Sequence, residues 1–112
     1  MSRPRAWLLL CTTLVACNPG GIAVTLTNQS AGELTSVVLR FTGGAGEVAS
    51  IAPGASHRFT PKPTSESHLV VEFDAGGSRR SHVVDVYFEP GYQATIDIVV
   101  DAQGKVTWKE RR

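Results

Sequence analysis

The sequence predicts an all-β fold, a small antiparallel β-sandwich of about seven to eight strands that is immunoglobulin-like in the broad sense. Two observations support this prediction. After Gly21, apolar and polar residues alternate at period two, which is the pattern of half-buried strands. Turn-forming residues interrupt the alternation at short intervals, and no later stretch of helical length keeps a 3.6-residue period. A small β-barrel is the alternative, because it also joins short strands by tight turns.

Five segments show the alternation clearly, with a large apolar residue at every second position. These inward-facing sets are Ile22, Val24 and Leu26; Val37, Leu39 and Phe41; Leu69, Val71 and Phe73; Val84, Val86 and Phe88; and Ile96, Ile98 and Val100. Shorter strands are predicted over residues 47–51, 56–60 and 105–109. Together these segments predict one modest core, which is what a chain of this length can bury.

Proline, glycine and asparagine mark the breaks between the strands. Pro53-Gly54 and Pro90-Gly91 suit the central positions of a type II turn. The glycine-rich stretch 43–46 predicts a tight hairpin connection. Asn28-Gln29-Ser30 matches a glycosylation sequon, but we interpret it as an Asx-type turn, in which the side chain binds the backbone two residues ahead.

The first seventeen residues differ from the rest of the chain. Arg3 and Arg5 precede an apolar run from Ala6 to Val15. This run has about half of the roughly 20 apolar residues that a helix needs to cross a bilayer core. A positive start followed by a short apolar run is typical of a secretory signal. Such a signal forms a helix during export and is then cleaved off, so it is not part of the folded domain.

Leu14-Val15-Ala16-Cys17 resembles the lipobox of bacterial lipoproteins, in which an aliphatic residue and two small-to-medium residues precede a cysteine. The resemblance implies that fatty acyl chains such as palmitate are attached at Cys17 and that residues 1–16 are cut off as a lipoprotein signal peptide. Residues 17–21 then form the lipidated cysteine and a short linker, and residues 22–112 form a single domain.

The same resemblance implies a location in the cell envelope, where the chain is held on a membrane by its lipid. Two or three acyl chains make such an anchor effectively permanent. Because Asn18 rather than Asp follows the cysteine, the sorting pattern of the class implies the outer membrane, facing the periplasm, in a Gram-negative source. The linker 18–21 spans at most about 14 Å, so we expect the domain to lie against the membrane.

Charge and cysteine content exclude several function classes. The full chain has 11 Lys and Arg residues against 10 Asp and Glu, and removal of Arg3 and Arg5 with the signal leaves 9 against 10. A nucleic-acid-binding domain is usually strongly basic, so no nucleic-acid partner is predicted. Cys11 leaves with the signal and Cys17 takes the lipid, which leaves no thiol for a disulfide. The basic residues 109–112 are interpreted as a solvated tail.

No catalytic residue, cofactor site or metal site is predicted. Ser56 and His57 are the nearest approach to a nucleophile and base, but neighbours in a strand point to opposite faces. His57, His68 and His82 lie on three separate predicted strands without metal-ligand spacing. The carboxylates that could serve glycosidic chemistry occupy outward positions or a turn, where solvated charge is expected; they are Glu72, Asp74, Asp85, Asp97 and Asp101.

Five apolar residues fall on nominally outward positions and form the candidate partner face. They are Val38, Val70, Val83, Tyr87 and Val99. If their strands are neighbours, they form an apolar patch of the kind that marks partner surfaces. β-Propensity alone also explains valines at such positions.

The sequence therefore predicts a membrane-anchored, non-catalytic binding or accessory module. We expect it to contact a protein in or near the same membrane. One alternative is a periplasmic inhibitor or immunity protein that masks an enzyme attacking the envelope. The other is a metal-handling protein or hydrolase that uses the scattered histidines and carboxylates, which would require them to converge in a pocket.

Overall fold

The computed structural model describes residues 21–111. Residues 1–20, which include the predicted signal peptide and Cys17, and Arg112 lie outside the described residues. Alternating apolar residues form eight strands, and their bounds are β1 Ile22–Asn28, β2 Leu34–Phe41, β3 Gly44–Ile51, β4 Ser56–Phe59, β5 Ser67–Ala75, β6 Ser78–Phe88, β7 Ala94–Val100 and β8 Val106–Arg111. None of the described residues belongs to a helix that could cross a membrane.

The eight strands form two four-stranded sheets that face each other. One sheet has the order β4-β1-β7-β8 and the other has the order β3-β2-β5-β6. The predicted β-sandwich and its strand number are therefore confirmed. The barrel alternative is wrong, because each sheet ends in unpaired edge strands instead of closing on the other.

One strand pair departs from the antiparallel expectation. β1 and β7 run parallel and in register, with Val24 beside Ile96 and Leu26 beside Ile98, whereas the other five pairings are antiparallel. Both strands occupy the middle of their sheet. Strand direction follows from how distant segments cross between the two sheets, so local alternation does not reveal it.

The core lies between the sheets and is built from the predicted inward-facing sets. Fourteen of their fifteen members are buried, and Phe41 is half-buried. Leu34, Ile51 and Phe59 join them from the ends of β2, β3 and β4. Burial of these apolar side chains is the main favourable term in folding this domain, because the described residues contain no disulfide.

The glycine-rich stretch 43–46 is mostly strand, and the predicted connection is shorter than expected. The loop consists of Thr42 and Gly43, because Phe41 already pairs with Gly44. Gly46 lies inside β3, where an added Cβ would come within 2.8 Å of Cδ1 of Phe59 on the opposite sheet. This glycine therefore permits a close approach of the two sheets and forms no part of the turn.

The sandwich has two ends, and we name them by their connections. The entry end contains Gly21, where the described chain begins, together with the β2–β3 loop and the connections 60–66 and 89–93. The far end contains the connections 29–33, 52–55, 76–77 and 101–105. Both predicted Pro-Gly turns form, since Ala55 N donates to Ala52 O at 3.0 Å and Tyr92 N donates to Glu89 O at 3.1 Å.

Asn28 ties the connections of the far end together. Its side chain is fully buried, and Nδ2 donates to Gly32 O at 2.8 Å and to Ile51 O at 3.0 Å. Oδ1 accepts from Ser30 N at 2.9 Å and from Ser30 Oγ at 2.6 Å. The predicted Asx-type turn is thus confirmed, and the amide that glycosylation would require is enclosed in the fold.

Candidate functional site

The five residues of the candidate partner face do not share one surface. Val99 lies on β7, in the sheet opposite the strands that carry the other four. Val70 on β5 is directly opposite Val83 on β6, whereas Val38 on β2 is opposite Glu72. Neighbouring strands therefore bring together only part of the set, as a pair formed by Val70 and Val83.

Charged residues interrupt the apolar character of this sheet face. Arg40 is opposite Val70, and its Nε lies 3.2 Å from Glu72 Oε1. Arg79 is 3.4 Å from Glu72 and 3.3 Å from Asp74. Ion pairs this exposed contribute about 0–1 kcal/mol each. The face is therefore mixed, with one strongly exposed valine, Val83, at 58%.

Tyr87 lies at the entry end, four positions along β6 from Val83. Its side chain is 48% exposed, and its ring meets that of Tyr92 edge to face, with centroids 6.1 Å apart. Partial desolvation, followed by the negative charges of Glu66 and Glu89, raises the pKa of Tyr87 above its usual 10.0. The phenol is therefore neutral at physiological pH and sits beside a small acidic group.

Ser56 and His57 point to opposite faces of β4, as predicted. Ser56 Oγ lies 2.8 Å from Thr27 Oγ1 on the neighbouring strand. The imidazole of His57 packs against Phe59 instead, with ring centroids 4.7 Å apart. The hydroxyl and the imidazole thus have separate structural partners and do not form a nucleophile–base pair.

The three histidines lie on β4, β5 and β6, as the sequence predicts. His82 stacks on Phe73 with ring centroids 5.9 Å apart, and its Nε2 is buried without a hydrogen-bond partner among residues 21–111. Within that range, no three His, Cys, Asp or Glu side chains are grouped closely enough to hold a metal ion.

Most of the candidate carboxylates have structural contacts. Glu72 and Asp74 pair with arginines on their own sheet, and Asp97 Oδ2 accepts from Arg111 Nη2 at 2.9 Å. Asp101 Oδ1 accepts from the backbone N–H groups of Gln103 and Lys105, each at 2.9 Å, which closes the β7–β8 turn. These carboxylates serve the sheet surfaces and a turn.

An open cleft with a volume of ≈ 880 Å³ lies at the entry end. Gly21 and the first residues of β1 form one wall, and the connections 60–66 and 89–93 form others. Three prolines and one tyrosine of these connections line it, namely Pro61, Pro63, Pro90 and Tyr92. Pro61 and Pro63 are buried, whereas Pro90 is exposed and Tyr92 is half-buried.

Three cationic side chains also line the cleft, and no carboxylate does. Arg58 lies on β4, Lys62 follows it in the connection 60–66, and Arg111 ends β8. Arg111 pairs with Asp97, whereas Arg58 and Lys62 form no ion pair within residues 21–111. The cleft is therefore a site of positive charge that suits an anion.

Sequence reasoning did not find this cleft. Arg58 and Lys62 are near neighbours in the chain, but Arg111 stands far from them in the sequence, so the three do not form a visible cluster. Residues 109–111, interpreted as a solvated tail, are the last part of β8, and Thr95 of β7 pairs with Arg111. That pairing carries Arg111 back to the entry end, beside the segments that hold Arg58 and Lys62.

Comparison with known proteins bears on the fold alone. No family model matches the chain, and no curated protein matches it. An NMR structure of a protein from Eubacterium rectale is similar, with a TM-score of 0.51 and 14% sequence identity over 79% of this chain and 85% of that chain. At this identity the likeness supports the β-sandwich architecture and says nothing about activity.

Proposed function

We propose that this protein is a lipid-anchored component of the cell envelope that acts as a non-catalytic binding module at the membrane surface. The observation that carries the proposal is the spacing between the lipobox cysteine and the fold. Cys17 precedes Ile22, the first residue of β1, by only five positions. The linker 18–21 reaches at most about 14 Å, so the entry end would face the membrane.

Closeness to the membrane limits which partners the domain can meet. A module on so short a linker samples molecules in, on or very near its own membrane. Anchoring also raises the effective concentration of such partners, so that a modest affinity suffices. We therefore propose a protein partner in or near the same membrane, in the outer membrane facing the periplasm if the source is Gram-negative.

β6 is the strand that we assign to this partner. It is the longest strand, with 11 residues, and it lies at the edge of its sheet, so one side of its backbone is available for pairing. It also carries Val83, the most exposed large apolar side chain among the described residues. An added strand would form backbone hydrogen bonds and contact Val83 at the same time.

The same edge supports the alternative of a periplasmic inhibitor or immunity protein, whose partner would be an incoming enzyme. A metal-handling or hydrolytic function draws less support, because His57, His82 and most of the candidate carboxylates have other contacts. Pairing at β6 serves both binding functions. The difference between them lies in the identity of the partner and not in the chemistry of the surface.

The test of anchoring compares the wild-type chain with Cys17→Ser in cells, using Cys11→Ser as the matched control. Intact mass of membrane-extracted wild type should show a chain that begins at Cys17 and carries acyl groups. Cys17→Ser should keep its signal and gain no lipid, whereas Cys11→Ser should be processed normally. Unprocessed wild-type chain without acyl mass would contradict the proposal.

Crosslinking in cells tests the partner. It compares the wild-type chain with a version that has a Gly/Ser insertion of about thirty residues after Gly21. Such a flexible linker reaches roughly 30 Å on average, so the domain would no longer be held against the membrane. The wild-type protein should crosslink to a membrane protein, and the long-linker version should lose most of that product. Equal crosslinking in both versions would show that closeness to the membrane has no role in partner choice.

A further inference from the structure

The entry-end cleft has features that neither the lipid anchor nor the β6 edge uses. Its three cations are Arg58 on β4, Lys62 four positions later, and Arg111 at the end of β8, which only the sandwich topology brings beside the other two. Two of them, Arg58 and Lys62, have no ion-pair partner in the described part of the chain. The cleft also lies at the end of the domain where Gly21 leads back toward Cys17.

We propose that this cleft binds the phosphate group of an anionic phospholipid headgroup in the membrane that holds the protein. The inference rests on the proposed anchoring, because the short linker is what would hold the cleft against headgroups. It goes beyond anchoring in one respect. The domain itself, and not only its acyl chains, would recognise the lipid surface and fix its own orientation on it.

The side chains that line the cleft suit a phosphate group. An arginine guanidinium presents a planar set of donors that matches phosphate oxygens, and lysine adds a compact point charge. Arg111 retains donors beyond the one it gives to Asp97, since a guanidinium carries five N–H groups. Pro90, which is exposed, and Tyr92, which is half-buried, supply an apolar and aromatic surface, and tyrosine is favoured at the membrane–water interface.

The negative charges of the entry end lie outside the cleft. Glu66 and Glu89 are close to Tyr87, which belongs to the other sheet and whose ring meets that of Tyr92, and neither carboxylate lines the cleft. Asp97 is occupied by Arg111. Positive charge thus concentrates on the side formed by β4, β1, β7 and β8, and a headgroup would approach the protein on that side.

The test uses the lipid-free chain 18–112, which contains all eight strands and the whole core and therefore folds without the signal or the lipid. Sedimentation measures its binding to vesicles of phosphatidylcholine alone and to vesicles that also contain phosphatidylglycerol. We expect binding only to the anionic vesicles. Arg58→Gln combined with Lys62→Gln should weaken it about thirtyfold, because each basic residue near an anionic membrane contributes about fivefold.

The matched control is Arg80→Gln combined with Lys105→Gln, which removes the same charge from the far end of the sandwich. This variant should bind nearly as well as the unaltered chain. Equal weakening by both pairs would overturn the proposal, because net charge would then explain the binding. Absence of binding to anionic vesicles, or full competition by inorganic phosphate, would overturn it as well.

The two proposals fail separately. Lipidation is read from the mass of the full chain in cells, whereas headgroup binding is read from a chain that carries no lipid. A chain that is acylated at Cys17 but does not bind anionic vesicles would retain the anchor and lose the headgroup site. An unlipidated chain that binds the vesicles would retain the site and lose the anchor.

Discussion

The two ends of the sandwich differ in how their polar groups are used. At the far end, Asn28 and Asp101 are occupied by backbone groups of short connections, and Asn28 is fully buried. At the entry end, Arg58 and Lys62 line an open cleft and have no ion-pair partner within residues 21–111. The polar groups of the far end therefore stabilise the fold, whereas Arg58 and Lys62 of the entry-end cleft have no ion-pair partner among the described residues that would compete with a bound anion.

The largest expected effect tests whether the two ends unfold together. Phe73 supports the far end and Phe88 the entry end, and both are almost completely buried. Phe73→Ala and Phe88→Ala should each lower the free energy of unfolding by about 3–5 kcal/mol, because each leaves a cavity in a packed core. Chemical denaturation followed by circular dichroism measures the loss.

Hydrogen exchange on the same two variants sharpens the comparison. If the sandwich is one cooperative unit, amides at both ends should lose protection in either variant. Loss of protection confined to the entry end in Phe88→Ala would show that this end opens by itself and would separate the stability of the two ends.

The next effect concerns the hydrogen bonds of the far end. Asn28→Ala leaves the carbonyl groups of Gly32 and Ile51 and the N–H of Ser30 without their side-chain partner. It should cost about 1–3 kcal/mol in the free energy of unfolding, because buried polar groups then lack hydrogen bonds.

Two further variants complete this test, measured by the same denaturation experiment. Asn28→Asp should not restore stability, since a carboxylate keeps the acceptor but lacks both amide donors. Gln29→Ala is the control, because its side chain is exposed, and it should leave stability unchanged. A stable Asn28→Ala variant would mean that the network does not hold the far end.

The smallest effect compares one glycine from each end. Gly54 at the far end has φ +83° and open space around an added Cβ, so Gly54→Ala should cost about 1–2 kcal/mol from the left-handed backbone alone. Gly43 at the entry end has φ +99°, and its added Cβ would lie 2.6 Å from Cγ2 and Oγ1 of Thr64. Gly43→Ala should therefore lower the melting temperature more.

Gly32→Ala serves as the control for the glycine pair. Gly32 has no neighbour within 4 Å of an added Cβ and its φ lies outside the positive region, so its melting temperature should stay close to that of the wild type. An order in which Gly54→Ala is the more damaging change would show that Thr64 moves aside without cost.

Local patterns predicted the strands well because their cause is local. A side chain at every second position of a strand faces the core, so Leu69, Val71 and Phe73 indicate both the strand and its buried face. The same rule separated Ser56 from His57. Local patterns were less informative at Gly46. The absence of a side chain there makes room for Phe59 of the opposite sheet, and a glycine in the sequence does not show whether it forms a turn or permits such a close approach.

The sequence by itself determined the all-β class, the number of strands, the buried set, the two Pro-Gly turns and the Asx turn at Asn28. Only the tertiary structure decided that β1 and β7 run parallel, that Val99 lies on the opposite sheet from Val70, and that Arg58, Lys62 and Arg111 line one cleft. The physical reason is range. Alternation and turn chemistry act between near neighbours in the chain, whereas the pairing of β1 with β7 joins residues dozens of positions apart, and the energy of their contact exists only in the folded state.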